Sequence, residues 1–147
     1  MAAERLAGRR KSTTGLRPRL PYLGLVVAAW AALPRFVSPP FHTRSANEVA
    51  DHLVPAVVVL AVSLGAHLAA RHGRQSGPGM LLGGLVIMLA GLWMCATHLP
   101  LLVQALRHTA PWPATVHHVA AAIGVFAVGA TWAVLYWNPL LDDIQPP

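Results

Sequence analysis

Cysteine, acid and charge of any kind are scarce in this chain. Among 147 residues there is one cysteine, Cys95, which excludes an internal disulfide and any Cys-x-x-Cys metal or redox pair. Five residues are acidic and only 11% are charged, against about 25% in a typical soluble domain. A water-soluble fold of this size needs more polar surface than that. Opposed carboxylates, a Gly-rich phosphate loop and a zinc-protease motif are all missing. Ser63 and Thr131 lie in apolar stretches with no acid beside them, so nothing marks an enzyme. Internal repeats, low-complexity tracts and the alternation of β-barrel strands are also lacking.

What the sequence does hold is apolar residue, 55% of the chain, gathered into long blocks. Blocks of this length predict an all-α integral membrane protein, a four-transmembrane-helix antiparallel bundle with spans at about 20–37, 49–70, 80–106 and 114–137. Pro34 and Arg35 interrupt the first block, which makes it the shortest span. A cleaved signal peptide competes with it there, with Ala29-Trp30-Ala31 as the triplet, but Trp30 is badly placed beside a cleavage site. Ser45 and Glu48 match a capping box opening the second span. Pro55 falls within two turns of that start, where a kink is tolerated. Ser76 to Gly79 reads as a tight turn, the third span is long enough either to cross with tilt or to bend at Pro100, and Asn138-Pro139 reads as the stop of the fourth. Residues 1–19 read as a basic tail without fixed structure, and 138–147 as a short tail.

The net charge of +6 is concentrated in that first tail, with six of the eleven basic residues before position 20. A basic tail running into an apolar block is a cytoplasmic membrane anchor, and no nucleic-acid recognition surface follows it. Arg and Lys number eight on the side of the tail and the 71–79 turn, against Arg35, Arg44 and Arg107 on the other. That asymmetry predicts a multi-pass cell-membrane protein with both termini cytoplasmic.

Helix–helix contact in lipid depends on small residues and hydrogen bonds. Helical spacing aligns His52, Ala56, Val59, Ser63 and Ala66 in the second span. It aligns Gly84, Met88, Gly91, Cys95 and His98 in the third, and His117, Ala121, Gly124, Val128 and Thr131 in the fourth. Each seam carries a histidine toward the same end. Ionisable groups at membrane depth are costly and keep partners, which marks a candidate metal or haem site around His52, His98 and His117. His118, Met94 and Cys95 stand beside it, and Asp51 and Glu48 are outer carboxylates. Two chemistries fit. Haem b would take two imidazoles from different helices. Copper would take imidazole with the thioether and thiol of Met94-Cys95-x-x-His98. His67 shows no partner on another helix. The plainest functional expectation is an accessory or scaffold subunit, whose partners are the bilayer and other membrane proteins or a second copy of itself.

Overall fold

The computed structural model describes residues 16–32 and 49–142. Four helices pack together: α1 (Leu20–Ala32), α2 (Val54–Arg71), α3 (Gly77–Leu106) and α4 (Trp112–Asp142). A 3-10 turn at Arg17–Arg19 leads into α1, and a π-helical turn at Val49–Leu53 leads into α2. Three segments, Ala50–Arg71, Gly77–Leu106 and Thr115–Trp137, are long and apolar enough to cross a membrane. Their outward faces carry large apolar side chains such as Leu60, Leu64, Leu82, Leu89, Ile123 and Val134. In water that surface would be a liability; in hydrocarbon it is ordinary. The described part of α1 is 13 residues, about 20 Å of helix, and is shorter than a bilayer core. Residues 33–37 of the expected first span, the Ser45–Glu48 cap and the tail up to residue 15 lie outside the described residues.

α3 and α4 form the most extensively packed pair, and glycine is the reason. A Cβ on Gly84 would lie 2.6 Å from the backbone nitrogen of Ala133, one on Gly91 would strike the backbone of Phe126, and one on Gly129 the backbone of Met88. The two main chains therefore touch directly, which only a missing side chain permits. The buried stripe of α3 is Met80, Gly84, Ile87, Gly91, Met94 and His98. On α4 the stripe facing α3 is turned one residue from the expected seam. Ala122, Val125, Gly129, Trp132 and Ala133 are buried, while Thr131 is exposed. The expected stripe is shared out differently: Ala121 is buried, and Gly124 lies against the Trp30 ring of α1, where a Cβ would be 3.2 Å away. On α2 the buried residues are Pro55, Ala56, Val59 and Ser63.

The helix ends follow local chemistry. Ser76 caps α3, its hydroxyl oxygen accepting from the Gly79 amide at 3.2 Å. Gly77 and Pro78 thus belong to the first turn, where proline needs no amide partner, and the helix begins three residues before the expected span. Both α2 and α3 close with paired Schellman bonds. Arg74 and Gly73 donate to Ala69 and Ala70, and Thr109 and His108 donate to Gln104 and Ala105. The first motif places Gly73 at φ +64°, natural for glycine. The second puts His108 at φ 58°, which is strained for a residue with a Cβ.

α4 does not stop at Pro139 but runs to Asp142, a correction to the expected boundary. Proline lacks the amide that would bond the carbonyl four residues back, so Pro139 orphans the carbonyl of Leu135. The Arg17 guanidinium donates to that same oxygen at 2.9 Å and lies 5.3 Å from the Tyr136 ring centroid. A distant cation thereby satisfies the carbonyl that the proline leaves without an amide donor. Residues 16–19, expected to end the free tail, are ordered in making this contact.

Candidate metal centre

Three antiparallel elements bring one histidine each to the same level. His98 stands eight residues before the end of α3 and His118 six residues after the start of α4, about 12 Å and about 9 Å from those ends. The turn between the helices is short, so the two depths coincide. His52 arrives from the π turn ahead of α2. Pro55 removes the amide that would bond Asp51, and a wider turn accommodates the missing bond.

The Nε2 atoms of His52 and His98 are 3.0 Å apart. The ring centroids of His52 and His98 are separated by 4.6 Å, those of His52 and His118 by 4.8 Å, and those of His98 and His118 by 5.4 Å. One ligand atom from each of the three lies within 4.8 Å of the others. His52 and His98 are each only 7% exposed. Across the described residues, this is the grouping of metal-ligating side chains that the fold assembles.

The tautomer of His98 follows from its neighbours. Its Nδ1 is 2.7 Å from the carbonyl of Met94. A carbonyl only accepts, so Nδ1 carries the proton and donates. Thr97 supports the arrangement: its hydroxyl donates to the same carbonyl at 3.1 Å, and its oxygen lies 3.2 Å from Nδ1. The lone pair of His98 is then on Nε2, where it accepts from the Nε2–H of His52 at 3.0 Å. Holding one imidazole nitrogen with a backbone carbonyl is how proteins orient a metal-binding histidine. Metal–nitrogen bonds of about 2.0–2.1 Å in a tetrahedral site place ligand nitrogens about 3.3 Å apart. The His52–His98 pair needs to open by only a few tenths of an ångström, and His118 to close in.

The other sequence candidates fall elsewhere. His117 is half-buried, its ring centroid 6.3 Å from that of His118, and it lies outside the group of three. Successive helical residues point about 100° apart, so only one of the two faces the bundle interior. Met94 is fully buried in the core and meets His98 through its carbonyl. Cys95 packs half-buried against the core, and neither it nor Asp51 belongs to the group. Glu48 lies outside the described residues. The donor set is thus three imidazoles, which suits zinc, copper, iron or nickel. A haem between His52 and His98 does not fit, since imidazoles 3.0 Å apart leave no room for a planar macrocycle.

Two interactions had no counterpart in the sequence reading. His67 meets the Tyr22 ring of α1, centroids 5.1 Å apart and edge to face. Arg17 holds Leu135, and Pro139 was the available signal: a proline within helical reach of the chain end implies an orphan carbonyl at 135. No protein-family model, curated protein or solved structure matches the chain.

Proposed function

We propose that this chain is a multi-pass membrane protein that binds one transition-metal ion, zinc or copper, inside its bundle. The ligands are Nε2 of His98, Nε2 of His52 once its proton has moved to Nδ1, and a ring nitrogen of His118. The observation that carries this reading is the convergence of three imidazoles from three separate elements, with His98 already held in the metal-binding tautomer. Three protein ligands leave a fourth position open to water or to a small ligand. The asymmetry of basic residues supports an orientation with both termini cytoplasmic. In that orientation the metal lies toward the outer leaflet. The apolar outer face is what any lipid-facing bundle has, so it favours no protein partner over the bilayer.

The test is metal stoichiometry. Protein purified in detergent is stripped with a chelator, loaded with zinc or copper, freed of excess and analysed for bound metal. The wild type and His117→Ala should each retain a single ion per chain. His98→Ala and His118→Ala should lose it, with affinity down by more than about 100-fold, beyond what loss of an orienting group alone costs. A wild type that retains no metal, or a His98→Ala variant that retains as much as wild type, overturns the proposal.

A further inference from the structure

The opposite end of the bundle holds two neighbouring cavities that the metal reading does not use. One, of about 470 Å³, lies between α1 and α2 and is bordered by Tyr22, His67, Arg71 and Gln75. The other, of about 230 Å³, is a slot between α2 and α3. Gly65, Ala69, Gly79 and Gly83 are among its walls, and Arg74, Gln75 and Ser76 also border it. Gln75 borders both cavities. The slot exists because small residues face it: a Cβ on Gly65 would meet nothing within 4 Å. Trp132 lines it from α4 and is fully buried, and its indole N–H has no acceptor among the described residues. A buried donor left unpaired is costly.

We infer that this end binds an anionic glycerophospholipid, with the phosphate at Arg71 and Arg74 and an acyl chain in the slot. Charge complementarity selects the headgroup. Arg71 and Arg74 are both exposed, and Arg17 and Arg19 lie at the same end. Asp51 lies on the first turn leading into α2, a helix length away, and Asp142 is the acidic residue on which α4 ends at the basic end. Shape selects the chain: walls of glycine and alanine admit a narrow polymethylene and exclude a bulky group. Charged groups at the mouth and apolar walls further in follow the same order as headgroup and acyl chain in the ligand. The inference shares the bilayer setting of the metal reading and is independent of the metal.

The experiment is native mass spectrometry of the full chain released from mild detergent containing equal amounts of phosphatidylglycerol and phosphatidylcholine. Wild type should retain phosphatidylglycerol in preference, and inorganic phosphate should not displace it. Arg71→Ala/Arg74→Ala should reduce that preference about tenfold. Gly65→Leu puts a side chain into the slot, where a Cβ would meet nothing within 4 Å, so it should weaken retention while leaving thermal stability unchanged. Equal retention of both lipids overturns the inference. So does displacement by inorganic phosphate, which would make this a free-anion site, or a preference that survives the double variant.

Discussion

The two ends of the bundle collect polar groups by opposite means. At the histidine end, three imidazoles from three elements touch one another, within 4.6 to 5.4 Å ring to ring. At the basic end, cations border open cavities, and the one that reaches across, Arg17, binds a main-chain carbonyl. The α3–α4 seam serves both ends equally, backbone against backbone along Gly84, Gly91 and Gly129. The contrast therefore originates in α2. The turn leading into that helix is held to α3 by the His52–His98 contact, while at Gly65 the missing side chain leaves a slot open. In hydrocarbon, where apolar surface gives little drive to associate, glycine draws helices together where a facing backbone comes to meet it, as along α3–α4, and leaves a slot where none does, as at Gly65.

The largest way to break the comparison is to remove what the two ends share. Gly129→Leu pushes a side chain into the backbone of Met88 and should cost about 3 kcal/mol or more, read as a fall in thermal midpoint in detergent. Because His98 and His118 sit on the two helices of that seam, the same variant should also lose bound metal. A Gly129→Leu protein with wild-type stability would show that the seam is not as close as described.

A smaller perturbation tests the basic end alone. Arg17→Ala leaves the Leu135 carbonyl without its donor and should cost about 1–2 kcal/mol. Pro139→Ala returns an amide to that carbonyl from within α4. The Arg17→Ala/Pro139→Ala protein should then recover most of the loss, with a coupling of about 1 kcal/mol in the double-mutant cycle. Additive effects would separate Arg17 from the proline. Metal stoichiometry should be unchanged throughout, since the histidine end is not involved.

The smallest expected change lies at the end of α3. His108 occupies a left-handed position, φ 58°, that glycine fills without strain in the matching motif after α2. His108→Gly should therefore raise stability, by about 0.5 kcal/mol. A decrease would mean that the His108 side chain makes a compensating contact.

Much of this arrangement is legible in the residue order. Three helices long and apolar enough to cross a membrane follow from block length alone, because a run of about twenty apolar residues satisfies its backbone only as helix in hydrocarbon. Gly84, Gly91 and His98 align at helical spacing before any neighbour is known. The histidines of separate spans fall at one end for a similarly local reason, since short connections match the depths of antiparallel helices. Helix ends are less legible. Pro139 reads as a stop, and only a donor 118 residues away in sequence overrides it.

Sequence by itself thus determined the helices, their apolar outer faces and the end at which imidazoles gather. Tertiary structure decided how far each helix is turned about its own axis. Residues 117 and 118 are both histidine, and stripes of small residues one step apart on α4 pack equally well by composition. Backbone contact at Gly129, together with Trp30 against Gly124, sets the rotation that places His118 beside His52 and His98. An angle of about 100° separates those alternatives, and it is fixed by the surfaces of neighbouring helices rather than by any local preference of the chain.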